Sequence, residues 1–178
     1  MAGSFYTVGH SNRKLDEFME ILHHAGVQMI VDVRSFPRSR TNPVFNTDTL
    51  PDELASRQVA YCHSPDLGGR RKMQPDVPET VNALWRNRSF QNYADYALSD
   101  QFERAYRELL DLGQTRRVAI MCSEAVWWRC HRRIIADYLL LNGHAVIHLM
   151  GNGREDPANP TPGAEFAADG KIHYPAEA

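Results

Sequence analysis

Residues 117–149 read RVAIMCSEAVWWRCHRRIIADYLLLNGHAVIHL. The stretch opens with a short β-branched run, Arg117 to Met121, and ends with another, Ala145 to Leu149. Between them apolar residues recur at helical steps from Val126 to Asn142, and Gly143 stands where such a helix closes. Strand, helix and strand in that order make a βαβ unit, so the two strands run parallel and the crossover is expected to be right-handed.

The rest of the chain extends this pattern. Val27 to Val33 (VQMIVDV) is almost continuously apolar, as a strand covered on both faces must be. Phe5 to Val8 reads as an earlier strand. Lys14 to Ala25 reads as a helix with Leu15, Phe18, Met19 and Leu22 on one stripe, Ser11 or Asn12 as its cap and Gly26 beyond its end. A third strand is expected over Val59 to His63, and helical segments over 48–57, 80–85, 93–98 and 101–112. The Pro- and Gly-rich tail, 152–178, reads as extended chain with one edge strand at Lys171 to Tyr174. The expectation is one α/β domain over 1–178, its mainly parallel five-stranded sheet flanked by helices in Rossmann-like or rhodanese-like layering.

A length of 178 residues suits one core, and 43% apolar with 24% charged residues is the composition of a globular chain. Twenty basic against 22 acidic residues give a formal charge of −2, so an anion site must be built locally and not from bulk charge. Three cysteines, Cys62, Cys122 and Cys130, are too few for a disulfide framework, and Met1 to Thr7 has no signal-peptide pattern. Both features suit a reducing, cytoplasmic setting. The longest apolar stretch, Ile134 to Leu141, contains Asp137 and is far shorter than the ~20 residues of a membrane span.

Ligands of open parallel sheets bind where the strands end. Here those loops carry His10, Ser11 and Asn12 after the first strand, Arg34, Arg38 and Arg40 after the second, Gly68, Gly69 and Arg70 after the third, and Cys122 with Glu124 after the fourth. Guanidinium forks and glycine-exposed N–H groups suit phosphate or carboxylate oxygens, so a cleft for an anion is expected at this edge. The rival reading of these arginines is pairing with the chain's own acids. Asp32, the one charge in VQMIVDV, needs a buried partner such as Arg34 or His10.

Cys122 falls between strand and helix, where a thiol is either activated by the free N–H groups or a small apolar filler. Glu124, read as lying at the helix N-terminus, either complements the helix dipole or serves as a general base. Cys130 and His131 share helical steps with Ile134, Ile135 and Tyr138 and are expected to face the sheet. Arg133 is expected to pair with Asp137, leaving Arg129 as the arginine able to turn toward the cleft. No zinc spacing occurs, and the Gly-x-Gly at 151–153 lacks the context of a dinucleotide fingerprint, so neither metal nor cofactor is expected. Phe36, Phe45, Tyr61, Tyr93, Trp127 and Trp128 lie near the same rim, either closing the core or stacking on a base.

Five ordered motifs between Thr7 and Leu149 resemble the DUF488 family of bacterial and archaeal proteins: TVGHSN at 7–12, VDVRS at 31–35 followed by Pro37-Arg38-Ser39 and Asn42-Pro43, LGG at 67–69, MCSE at 121–124 and Cys130-His131-Arg132. The resemblance implies that His10, Asp32, Arg34, Arg38, Cys122, Glu124 and His131 act as a set, and it assigns no reaction. A looser similarity in layout links Asp32-Val33-Arg34, the Cys122 loop and Gly143-x-x-Val146 to rhodanese-like sulfurtransferases and cysteine phosphatases. Here six residues separate Cys122 from Arg129 and the loop has no glycine, unlike the phosphatase loop.

The expected partner is therefore an anionic small molecule or a nucleic acid, most simply a nucleotide, a nucleic-acid end or another phosphate ester. Arg34, Arg38 and Arg70 would clamp the anion, His10 or Glu124 would move a proton, and Cys122 would be nucleophile or wall. The alternatives are a sulfurtransferase or cysteine phosphatase using Cys122, and a binding module without turnover.

Overall fold

The computed structural model describes residues 3–177 and aligns the expected strands in one sheet. Strands β1 (Ser4–Gly9), β2 (Met29–Asp32), β3 (Ala60–His63), β4 (Val118–Cys122) and β5 (Ala145–Gly151) pair in parallel in the order β3-β2-β4-β1-β5. A sixth strand corrects the expected five: β6 (Arg154–Pro157) folds back antiparallel on the β5 edge. The turn between them, Asn152-Gly153, has φ of 53° and 76°, the two left-handed residues of a tight hairpin. The tail is thus not wholly extended coil.

Helices α1 (Leu15–Ala25) and α2 (Leu50–Ala55) cover one face, and α3 (Arg88–Tyr96), α4 (Asp100–Thr115) and α5 (Arg132–Leu141) the other. Alternation along the strands makes this possible. Tyr6, Val8, Ile30, Ala119 and Met121 meet Phe18, Leu22, Leu50 and Leu54. Phe5, Val31, Val118, Ile120 and Cys122 meet Tyr93, Phe102, Ile134, Ile135 and Leu139. Each buried Val, Leu, Ile, Phe or Met among them contributes about 1.5–3 kcal/mol.

The helix expected over 80–85 is only a short 3-10 turn, Glu79–Asn82, and three further local expectations fail. Ser11 and Asn12 do not cap α1; Lys14 occupies the cap position without a side-chain bond, and Ser11 sits in a left-handed turn at φ 49°. The helix expected from Val126 begins only at Arg132. Residues 123–131 form a loop with a 3-10 turn at Trp127–Arg129, because the Trp127 ring stacks on His148 at 4.6 Å and Cys130 reaches Cys122, which draws the segment down onto the sheet. Glu124 is therefore not at a helix N-terminus, and Arg129 is not in a first turn.

The third concerns Asp137 and the tail. Asp137 accepts from the Thr161 N–H (2.8 Å) and the Tyr174 hydroxyl (2.7 Å), while Arg133 donates to Thr161 Oγ1 and lies over Trp85. The carboxylate fastens the tail in place of pairing with Arg133. Accordingly β8 (Ile172–His173) is no edge strand of the main sheet; it pairs with β7 (Glu165–Phe166) in a separate ribbon. Among the described residues, no helix is long and apolar enough to cross a membrane.

Candidate functional site

The two central strands, β1 and β4, send their chains in opposite directions. From β1 the chain passes α1 to β2, on the far side of β4; from β4 it passes α5 to β5, on the far side of β1. A crevice opens where neighbouring connections diverge in this way. Here it has a volume of about 620 Å³ and is lined by His10, Arg34, Arg38, Gly69, Arg70, Cys122, Glu124, Arg129 and His131, all named from the sequence. Ser35, Phe36, Ser39, Asn87, Ser89, Phe90, Ser123 and Cys130 also line it.

Five named residues do not line it. Asp32 lies behind Arg34, Gly68 packs beneath Ser35, Ser11 and Asn12 form the turn beside the cleft, and Arg40 is exposed. Gly68 and Ser35 still shape the wall, since Ser35 Oγ accepts the Arg70 N–H at 2.9 Å.

Arg34 realises the rival reading for arginines. Its Nε and Nη2 donate to the two oxygens of the fully buried Asp32 at 2.9 and 2.7 Å, Nη2 also donates to Phe45 O, and Nη1 donates to His10 Nε2 at 3.2 Å. One Nη1 hydrogen is left for the cleft. Arg34 is a strut and not the free anion clamp expected from sequence. With Nε2 accepting from Arg34, His10 carries its proton on Nδ1 and donates it to Ser11 O at 2.8 Å. Burial pushes His10 down to about 4. Both nitrogens are engaged, so His10 is placed to hold geometry and not to move a proton. Tyr61 donates to Asp32 at 2.5 Å, and burial together with that carboxylate raises its hydroxyl to about 12.

A second network lies below the β4 loop. Arg132, expected to face away from the cleft, is wholly buried. Its Nη1 donates to Cys122 Sγ at 2.8 Å and to Glu124 O at 2.7 Å, and its Nη2 donates to Ala125 O at 3.1 Å. Its Nε has no partner. Cys122 Sγ also lies 2.7 Å from Cys130 Sγ. Burial opposes ionisation of Cys122, but the Cys130 hydrogen bond and the Arg132 guanidinium outweigh it and bring the thiol down to about 7. Cys130 is pushed well up by burial and by the anion beside it. The two thiols therefore titrate as a pair whose first proton is lost on the Cys122 side.

His131 donates from Nε2 to Val33 O at 3.0 Å, and burial lowers it to about 4. The loop itself rests on Gly9: a Cβ there would lie 1.8 Å from Glu124 O, so only glycine admits this approach.

Around the mouth stand Arg38, Arg70 and Arg129, with Glu124 the one acid in the lining. Arg70 and Arg129 form no ion pair among the described residues. Arg38 meets Asp48 at 3.3 Å, but both are more than half exposed and the contact is worth under about 1 kcal/mol. Arg70 also lies over the Phe36 ring at 5.1 Å. Among the described residues no group of three or more His, Cys, Asp or Glu is arranged to hold a metal.

Arg132 is the most informative residue that sequence reasoning missed. One signal was present: it has no acid three or four residues to either side, although it sits beside the apolar run Ile134-Ile135-Ala136. Cys130, which helical spacing assigns to the core, is core and cleft wall together.

The profile of the family described as Domain of unknown function DUF488 matches residues 14–139. No curated protein and no solved structure matches the chain.

Proposed function

The chain belongs to the DUF488 family, and from that premise we propose that it is an enzyme that binds an anionic, phosphate-bearing ligand, such as a nucleotide or nucleic-acid end, at the carboxyl edge of its sheet and reacts with it through the Cys122 thiolate. The observation that carries this reading is Arg132. A buried guanidinium with no carboxylate partner among the described residues is costly, and Cys122, 2.8 Å away, is the group able to neutralise it. A thiolate held in this way at the floor of an accessible cleft is a nucleophile.

Each lining group then has a task. Arg70 and Arg129, joined by Arg38 when it leaves Asp48, hold the anionic oxygens by charge-assisted bonds. Cys122 Sγ forms the new bond to the electrophilic atom as the leaving group departs. The leaving group takes its proton from solvent, and Glu124, the one acid in the lining, serves as general base on the water that then cleaves the bond to sulfur and regenerates the thiolate. Phe36 and Phe90 offer apolar surface for the remainder of the ligand. The departures from the phosphatase loop favour a distinct arrangement, in which main-chain carbonyls of the loop point down to Arg132.

The test is labelling of Cys122 by iodoacetamide, followed by peptide mass mapping, with AMP or inorganic phosphate as competitor. Labelling should proceed well at pH 7 and be slowed by AMP. Arg70→Ala or Arg129→Ala should raise the protecting concentration ten- to hundred-fold, the loss of one charge-assisted bond of about 1.5–3 kcal/mol. Labelling that rises only above pH 8, or protection indifferent to both arginines, would remove the proposal. A module that binds without turnover would keep the protection, yet show no Cys122-dependent product from phosphate esters or thiosulfate.

A further inference from the structure

The nucleophile reading leaves Cys130 without a task, and its surroundings give it one. Its Sγ lies 2.7 Å from that of Cys122, both cysteines are at most 5% exposed, and both contribute to the cleft lining. The Arg132 N–H donates to Cys130 Sγ at 3.4 Å. On its other side, 3.6 Å away, is His131 Nδ1. With the Nε2 hydrogen used on Val33 O, Nδ1 is the unprotonated nitrogen and faces the Cys130 sulfur. The arrangement is tight: a Cβ on Gly69 would lie 2.4 Å from that same nitrogen. A thiol in contact with a partner sulfur and fixed between the Arg132 N–H and a neutral imidazole has the geometry from which a disulfide forms.

We propose that Cys130 is a resolving cysteine for Cys122, so that a peroxide reaching the cleft converts the pair into a reversible 122–130 disulfide. This rests on Cys122 being a thiolate. In the first step the thiolate attacks the terminal oxygen of a hydroperoxide: an S–O bond forms, the O–O bond breaks, and the departing alkoxide or hydroxide takes a proton from water. Cys122 is then a sulfenic acid. In the second step Cys130 sulfur attacks Cys122 sulfur, the S–O bond breaks, and the Cys130 proton passes to the leaving oxygen, which departs as water. Overall, two thiols and one hydroperoxide give one disulfide, one alcohol and one water; two equivalents of a small thiol reverse the change and are themselves oxidised to a disulfide. The disulfide removes the nucleophile and protects it from the irreversible sulfinic and sulfonic acids.

The experiment treats the reduced full-length protein with one equivalent of hydrogen peroxide and follows it by intact mass and peptide mapping. The expected result is loss of two hydrogens, a linked peptide joining Cys122 to Cys130, Cys62 left as a thiol, and full recovery with a small thiol. Cys130→Ser and Cys130→Ala should let dimedone trap the Cys122 sulfenic acid at least tenfold more than in the parent. Oxidation of Cys122 onward to sulfinic acid while Cys130 stays free, or linkage to Cys62 instead, would overturn the assignment of Cys130 alone. A Cys122 that neither reacts with peroxide nor alkylates below the pH range of an ordinary thiol would overturn the thiolate reading, and this inference with it.

Discussion

Replacing Arg132 by methionine removes the positive charge beside Cys122 while keeping the length of an apolar side chain. The thiol is held at about 7 against an ordinary 9.0, and burial alone would push it above that value. Without the guanidinium the midpoint should rise by about 1–3 units, the effect of losing an opposite charge at this range, with the Cys130 hydrogen bond still opposing burial. For a rise of about one unit the ionised fraction at pH 7 falls from about one half to about 9%. A thiolate of higher pKa is a better nucleophile, by roughly 2.5- to 3-fold per unit. The net expectation is alkylation of Cys122 at least about twofold slower at pH 7, with the whole rate profile displaced to high pH. Iodoacetamide labelling across pH 5–10, resolved by peptide mass, reads both quantities. Arg132→Lys keeps the charge and loses the fork to the Glu124 and Ala125 carbonyls, so its midpoint should stay below that of a free thiol. Near-ultraviolet circular dichroism verifies that each variant is folded. A folded Arg132→Met protein whose midpoint remains near 7 would refute the ion-pair argument.

Other perturbations act on the fold. Asp32→Asn leaves the Arg34 guanidinium buried and uncompensated, so urea denaturation should show a loss of about 3–5 kcal/mol. His10, His131 and His148 are held neutral by burial, at about 4, 4 and 3, whereas the unfolded chain protonates them near 6.5. The unfolded state thus binds more protons below 6.5, and stability should fall by roughly 3–4 kcal/mol per pH unit near pH 5, read from urea midpoints against pH; a flat profile there would contradict neutral burial. Gly9→Ala drives a methyl into the Glu124 carbonyl; it should displace the Cys122 loop and lower the thermal midpoint by several degrees.

Much of the architecture was legible because it rests on local signals. The runs VQMIVDV and RVAIM could be little else than buried parallel strands, and the rule that ligands gather at strand ends located His10, Arg38, Gly69, Cys122 and Glu124 around one crevice. The errors came where distant contacts override local pattern. Val126, Cys130 and Ile134 fit helical spacing, yet the stacking of Trp127 on His148 and the contact of Cys130 with Cys122 hold residues 123–131 out of the helix. Moving the helix start to Arg132 turns that side chain beneath the loop, which no helical wheel begun at Val126 would show. Asn152-Gly153 was a readable hairpin signal obscured by the surrounding prolines. Asn87, Ser89 and Phe90 follow no strand end, so the strand-end rule had no means of finding them.

The segment from Ser123 to Ala125 is secured mainly through its main chain: Ser123 O accepts the Ser11 N–H, the next two carbonyls accept from Arg132, and the backbone sits against bare Gly9. The one side-chain bond within it is Glu124 Oε1 accepting the Val126 N–H, and none of the main-chain attachments depends on what side chains the segment carries. It is a socket in which the side chain at 123 is free to change without loosening the frame that holds the sulfur.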